Sequence, residues 1–268
     1  MQIELAPLQL PDFGLPSVEP RIPAATYEQR LQKLHLHAAG WNFDAVLVYG
    51  DREHYANMAY LTGYDPRFEE ALLILTHERD GFLEQLFSRT APAGWKPVRA
   101  RTPVLLVGNE GWGYTEISPI KLERILYQNF SLPGQPRDRS KSLESILRAQ
   151  GITAGSKVGV IGWKYDESDT TTYTNWLDIP AYIADTLRAI VGTEGQVLNL
   201  TPALIDPVNG QRIINEVDQL AAFEFAATQT SQAVRNVLFG LKPGMTEFDA
   251  VRLMGLNGLP HSVHLMLS

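Results

Sequence analysis

The sequence contains no cysteine, no long hydrophobic run and no block of basic residues. Without cysteine, the chain can form no disulfide, no thiolate zinc site and no cysteine nucleophile. Its apolar runs are short, such as Ala71–Leu75, whereas a membrane helix needs roughly 18 apolar residues. The net charge is -7, and phosphate binding requires clustered Lys and Arg. With no secretory-signal pattern at its N-terminus, the sequence predicts a cytoplasmic protein that binds neither membrane nor nucleic acid.

Histidine is scarce, with six residues in the chain. His35 and His37 are two positions apart on a predicted helix, so they cannot face one ligand. His54 stands without a carboxylate–histidine pattern around it. His261 and His264 are three apart in a segment that reads as extended chain, where this spacing puts them on opposite faces. The pattern predicts no metal pair here, and leaves open that these histidines line a cleft.

Other motifs with catalytic potential are equally weak. Glu69 and Glu70 precede a predicted strand and are interpreted as a solvated turn. Gly108, Gly111 and Gly113 follow another strand, but their order is not that of a dinucleotide-binding fingerprint. The sequence has no Gly-x-Ser-x-Gly elbow, the mark of one class of serine hydrolase. Taken alone, these residues do not specify a reaction.

The first 206 residues predict an arm followed by one α/β domain. Five prolines in residues 1–25 disfavour helix and central strand, and indicate an extended arm. In residues 26–206, apolar runs that suit buried strands alternate with helical patterns. The predicted strands are Ala45–Tyr49, Ala71–Leu75, Pro103–Gly108, Lys157–Ile161 and Gln196–Leu200, with a weaker one at Gly81–Arg89. The predicted helices are 26–40, 54–61, 118–127, 142–150 and 180–191. This alternation predicts a three-layer α/β/α domain.

A long helix dominates the remaining residues, 207–268. Arg212–Leu241 carries apolar residues at three- and four-residue steps, a pattern typical of one apolar stripe on a helix. Lys242-Pro243-Gly244 ends the helix, and Thr246 is predicted to cap the next one. The sequence thus predicts the beginning of a second domain. Unless the stripe is covered it exposes a large apolar patch, so we expect dimerisation or poor solubility.

Three stretches resemble the creatinase/Xaa-Pro peptidase family, the pita-bread metallopeptidases. They are the segment Ala45–Leu75 with its Tyr-Leu-Thr-Gly sequence, the Asp178-Ile179-Pro180 helix start, and Arg212–Asp249 with its Leu-Lys-Pro-Gly-Met-Thr-Glu turn. The resemblance implies a creatinase-like N-terminal domain with a mixed sheet that helps to form homodimers. It also implies that residues 207–268 begin an incomplete pita-bread α+β catalytic domain.

Full-length members of this family hold two divalent ions (Mn, Co or Zn) through two Asp, one His and two Glu. No Asp or Glu follows Asp249 in this sequence, so the resemblance assigns no metal ligand, catalytic residue or cofactor to the chain. It does imply a weak substrate-binding role for Arg67 and Phe68, on the loop after Tyr-Leu-Thr-Gly, and for His264. For Arg67, the alternative is an ordinary surface residue near Glu69 and Glu70.

The resulting hypothesis is that the chain is the N-terminal part of a hydrolase of the Xaa-Pro aminopeptidase, prolidase or creatinase type. It would serve dimerisation and substrate-site shaping and be inactive alone, while the full-length enzyme would act on a peptide or a small amidino or amide substrate. The alternative is a non-catalytic binding or oligomerisation module. A weaker alternative is an unrelated α/β protein that binds a small molecule at the strand ends.

Overall fold

The computed structural model describes residues 9, 14–79, 98–138, 140–164, 174–259 and 261. The chain divides into two compact units, residues 23–214 and a second unit made of residues 1–22 and 215–268. The expected domain boundary between residues 206 and 207 stays a prediction. The predicted strand Gly81–Arg89 lies outside the described residues.

The larger unit contains a mixed seven-stranded sheet. Its strands are β1 Ala45–Gly50, β2 Ala71–Arg79, β3 Val98–Ala100, β4 Val104–Val107, β5 Glu123–Leu126, β6 Lys157–Ile161 and β7 Gln196–Asn199. Six of them lie in the order β5-β4-β2-β1-β6-β7, and β3 pairs with β2 outside this path. Strand β2 is antiparallel to β1, β3 and β4, while the other pairs are parallel. The sheet mixes both pairing types, as the family resemblance implies.

Helices cover both faces of this sheet. They are α1 Ala24–Gly40, α2 Ala56–Thr62, α3 Asn109–Tyr114, α4 Leu143–Ala149, α5 Ala181–Val191 and α6 Pro202–Ile205. Alternate strand residues such as Leu47 and Ile74 form one buried cluster with Leu147 of α4 and Leu187 of α5. On the opposite side α2 contacts β1 and α1 contacts α2. The predicted three-layer α/β/α domain is therefore confirmed.

The prediction of a helix over residues 118–127 is wrong. The end of that segment is β5, which pairs in parallel with β4 at the edge of the sheet. The backbone N–H of Glu123 donates to the carbonyl of Pro103 at 2.9 Å, and that of Tyr127 donates to Val107 at 2.8 Å. The sheet edge offers ladder hydrogen bonds to the segment, and these override its local helical pattern.

In the smaller unit the long helix is shorter than predicted. Helix α7 spans Val217–Gly240 and α8 spans Glu247–Leu253. Thr246 caps α8 as predicted, and Asp249 completes a capping box with it. Arg212 is not in the helix, because its backbone N–H donates to Leu204 at 2.9 Å and its side chain to Asn57 at 2.7 Å. Those bonds hold the residue in the larger unit.

The predicted apolar stripe of α7 is exposed in this chain. We define the α7 apolar face as Val217, Leu220, Phe223, Val234 and Leu238, which are all more than half exposed. Among the residues of α7, Ala233 is the buried one. Of the helices that the structure describes, none has the combination of length and apolar character needed to cross a membrane.

Candidate functional site

Several polar loops meet at one edge of the sheet, here named the carboxyl edge. The parallel strands β1, β4, β5, β6 and β7 end there, and the antiparallel strand β2 begins there. Ligands of α/β sheets commonly bind at this edge. The loops that reach it include residues 51–55, residues 63–70 and the glycines after β4 and β6.

The predicted substrate-binding loop lies at the carboxyl edge, between α2 and β2. Gly63 ends α2 with a left-handed backbone (φ 70°), a conformation that glycine adopts without steric cost. The hydroxyl of Thr62 accepts a hydrogen bond from the backbone N–H of Tyr64 at 3.1 Å and donates to the carbonyl of Met58 at 2.8 Å. The helix end therefore fixes where the loop starts.

Arg67 is paired within this loop. Its Nε and Nη2 atoms lie 3.3 and 3.0 Å from Oδ2 of Asp65, and the hydrogen bonds to Asp65 raise the pKa of the guanidinium. The alternative drawn from the sequence was a surface Arg67 near Glu69 and Glu70. The structure instead gives it Asp65, two positions away, and leaves its side chain 41% exposed.

Of the other two predicted site residues, Phe68 is described by the structure and His264 is not. Phe68 is half exposed and meets the ring of Tyr114 edge-on, with ring centroids 6.1 Å apart. Phe68 follows Arg67 directly on the loop between α2 and β2. His264 lies outside the described residues, so its substrate-binding role stays a prediction.

Glu69 is the main departure from the expected site, because it is buried and not in a solvated turn. Its side chain is 6% exposed, and its Oε1 accepts a hydrogen bond from the backbone N–H of Gly111 at 2.8 Å. Burial, together with a hydrogen bond to Glu110, raises the pKa of Glu69 to about 7. The glycines at 108 and 111 leave room for this carboxyl, since a Cβ at either position would lie 2.7 Å or less from its atoms.

A second polar cluster joins β1, β2 and α5. Tyr49 donates to Glu70 at 3.0 Å and lies 3.2 Å from a carboxylate oxygen of Asp51. Tyr182 of α5 also donates to Glu70 at 3.2 Å. Burial is the main cause that raises the pKa of Glu70, while the hydrogen bonds from Tyr49 and Tyr182 oppose the rise. Glu70 is thus held by two phenols and is not a solvated turn residue either.

His54 has a carboxylate partner that the sequence analysis missed. Its Nδ1 lies 3.0 Å from Oδ1 of Asp51, and its ring stacks on Trp163 with centroids 4.0 Å apart. Burial opposes ionisation of Asp51, but hydrogen bonds from His54 and from the Glu53 backbone outweigh it and lower the pKa of that carboxyl. The Asp-x-x-His spacing is the signal that could have revealed the pair, because an Asp commonly accepts backbone bonds from residues two or three positions on.

These carboxylates do not fit the two-metal centre implied by the family resemblance. Among the residues that the structure describes, no three His, Asp or Glu side chains are grouped so that they could hold a metal ion. Glu69 faces Glu110 with a raised pKa, and Glu70 is bound by phenols. Hard divalent cations require several ionised carboxylates directed at one point. We therefore derive no chemical step through a metal in this chain.

Comparison with solved structures identifies the fold. The prolidase from Pyrococcus horikoshii OT3 matches 86% of this chain and 49% of its own chain, at 16% identity and a TM-score of 0.52. The recombinant prolidase from Thermococcus sibiricus matches 85% and 48%, at 15% identity and a TM-score of 0.52. The chain has a prolidase-like fold.

Other comparisons set the limits of this likeness. The dipeptidase PepE from Mycobacterium ulcerans matches 87% of this chain and 49% of its own, at 14% identity and a TM-score of 0.50. The chain therefore spans about half the length of the prolidase-like structures that it matches. Neither a protein-family model nor a curated protein matches the sequence. At identities of 14–16%, the likeness establishes the prolidase-like fold alone.

Proposed function

We propose that this chain is the N-terminal, non-catalytic part of a hydrolase of the Xaa-Pro aminopeptidase, prolidase or creatinase type. In this role it supports dimerisation and shapes the substrate site of the full-length enzyme, which binds two divalent metal ions and acts on a peptide or a small amidino or amide compound. We place the protein in the cytoplasm, in keeping with its lack of cysteine. The observation that carries the proposal is the prolidase-like fold of the chain, in which the carboxylates that the structure describes do not fit a metal centre.

The loop at the carboxyl edge supports the role in substrate-site shaping. Arg67 presents a guanidinium whose planar donors suit a substrate carboxylate, and Asp65 orients it through Nε and Nη2. Phe68 adds a half-exposed aromatic ring on the same loop. A charged donor beside an apolar ring suits the carboxyl end of a proline-containing dipeptide. His264 is proposed, on the family resemblance alone, as a further substrate-binding residue.

Hydrolysis assays test the non-catalytic role. We expect no release of proline when the purified chain is mixed with Mn²⁺ or Co²⁺ and a Xaa-Pro dipeptide, because a two-metal hydrolase needs its ions to generate the attacking hydroxide. A full-length prolidase in the same buffer serves as the positive control. Turnover that the purified chain sustains and that a chelator removes would overturn the proposal.

The DNA that follows the Ser268 codon distinguishes the proposal from a self-contained binding module. An open reading frame that supplies two Asp, one His and two Glu supports the N-terminal part of a metallohydrolase. A stop codon directly after Ser268 would contradict it, and would favour the non-catalytic module.

The exposed α7 apolar face supports dimerisation, since apolar patches of this kind commonly mark protein interfaces. We expect the chain, with a mass of 29.9 kDa, to sediment as a dimer at micromolar concentration. The double variant Leu220→Gln, Phe223→Gln should sediment as a monomer if this face contributes to the interface. Val208→Gln is the matched control, because Val208 is 77% exposed but lies in the larger unit. A wild-type chain that remains monomeric would refute the dimerisation role.

A further inference from the structure

Two carboxyl groups, of the buried Glu69 and the partly exposed Glu110, meet in a niche between the Tyr64–Glu70 loop and helix α3. Oε1 of Glu69 accepts from the backbone of Gly111, and Oε1 of Glu110 accepts from the side chain of Gln135. The second oxygen of each carboxyl is buried and has no donor among the residues that the structure describes. Glu69 and Glu110 are in hydrogen-bonding contact with each other. Two carboxylates cannot form such a bond, because neither carries a hydrogen.

We propose that Glu69 and Glu110 share one proton, and that this proton fastens the Tyr64–Glu70 loop to α3. A protonated Glu69 donates to Glu110 and so supplies a hydrogen for the carboxyl oxygens that have no donor among the described residues. Loss of the proton leaves a charged, buried Glu69 in contact with a like charge on Glu110, which is unfavourable. Nothing in this inference depends on the activity proposed above.

The shape of the niche supports this assignment independently. Tyr64 is fully buried, and its hydroxyl also has no partner. A Cβ placed on Gly111 would lie 2.6 Å from the Tyr64 hydroxyl and 2.7 Å from Oε1 of Glu69. The phenol and the carboxyl therefore face the same small space. A neutral acid can lie beside an unpartnered phenol at lower desolvation cost than a carboxylate can.

The surrounding charges favour the shared proton. Asp65 on the loop is a further acid close to Tyr64, and Tyr114 of α3 adds a phenol. Among the described residues no Lys, Arg or His forms an ion pair with Glu69 or Glu110. While the loop is packed on α3, burial and contact with Glu110 raise the pKa of Glu69 from 4.5 to about 7. Packing of the loop on α3 is therefore favoured at low pH, and this gain in free energy is lost as the pH rises from 4.5 through 7.

Hydrogen exchange measured on the full chain tests the loop at pH 5 and pH 7.5. After correction for the chemical exchange rate, the equilibrium constant for opening of residues 64–70 should increase with pH. The increase should reach up to about tenfold for each pH unit between 4.5 and about 7, the two pKa values of Glu69 with the loop open and packed. Glu69→Gln should abolish this increase, because the amide donates to Glu110 at every pH. Glu70→Gln is the matched control and should retain it, since Glu70 contacts Tyr49 and Tyr182 instead.

Carbon-13 NMR of the side-chain carboxyls provides the second measurement. The resonance that disappears in Glu69→Gln should titrate near pH 7, whereas an ordinary glutamate titrates near 4.5. Titration of Glu69 near 4.5 would overturn the proposal, as would an unchanged pH dependence of loop exchange in Glu69→Gln. Stabilisation by Ca²⁺ or Mg²⁺ at pH 5 that depends on Glu69 would also overturn it, because the pair would then hold a cation and not a proton.

Discussion

Substitution of Gly111 by alanine is the sharpest test of how the loop packs on α3. The added Cβ would lie 2.6 Å from the hydroxyl of Tyr64, 2.7 Å from Oε1 of Glu69 and 3.2 Å from Cβ of Val107. At least one of these groups must move, at an overpacking cost of about 1–3 kcal/mol. Movement of Glu69 also breaks its hydrogen bond to the Gly111 backbone. The better helix propensity of alanine returns about 0.5–1 kcal/mol.

Gly113→Ala is the matched control, because Gly113 lies in the same helix and its added Cβ meets no atom within 4 Å. It should therefore show the propensity gain alone. We expect Gly111→Ala to lower the unfolding free energy by about 2 kcal/mol, which corresponds to a fall in Tm of roughly 4–8 °C for a unit of this size. Gly113→Ala should raise Tm by about 1–4 °C.

Urea denaturation followed by circular dichroism, together with thermal scans, measures both variants. The m-value should stay unchanged, because neither substitution alters the surface exposed on unfolding. If Gly111→Ala and Gly113→Ala shifted the midpoint by the same amount in the same direction, the close contact at Gly111 would have no energetic weight. The account of the buried Glu69 niche would then be refuted.

Three further substitutions test other contacts. Asn57→Ala should cost about 2–4 kcal/mol in urea denaturation, because Asn57 is buried, donates to Gly162 at 2.8 Å and accepts from Arg212 at 2.7 Å; a loss below 0.5 kcal/mol would contradict it. Burial, and secondarily His77, lowers the pKa of His35 to about 4. The contribution of His35 to the free energy of unfolding is therefore complete above pH 6.5, and it falls by up to about 3 kcal/mol as the pH drops to 4. His35→Gln should flatten that fall in acid melts, and an unchanged slope would count against it. Thr246→Ala removes the cap of α8 and should speed amide exchange there about fivefold, whereas Thr246→Ser should not.

The layered fold was predictable because buried parallel strands are continuous apolar runs. Strands β1, β4, β6 and β7 match the predicted positions to within a residue or so, and β2 begins at Ala71 as expected. The strand order was not predictable, since pairing joins segments far apart in the sequence. Strand β5 shows the same limit: its pairing with β4, and not its own residues, makes it a strand.

The polar site was much less predictable than the core. Adjacent acids such as Glu69 and Glu70 are usually solvated, and only the tertiary structure brings Gly111 and Tyr182 to them. Helix α3 was missed because Gly111 and Gly113 lower its helix propensity. The spacing of those glycines does not suit nucleotide binding. The absence of a side chain at Gly111 instead leaves room for the carboxyl of Glu69.

The hydrogen bonds of Gln211 and Arg212 determine where a shortened version of the chain can end. Their backbone N–H groups donate to Ala203 and Leu204 at 2.9 Å, and the Gln211 side chain donates to the carbonyl of Arg30 at 2.9 Å. A protein ending at residue 206, where the sequence alone would divide the domains, loses all of these bonds. One ending at residue 214 keeps them. We expect the eight additional residues to decide whether the α/β unit can be produced as a stable protein. Limited proteolysis of the intact chain should release a fragment that retains Arg212 and ends at residue 214 or beyond.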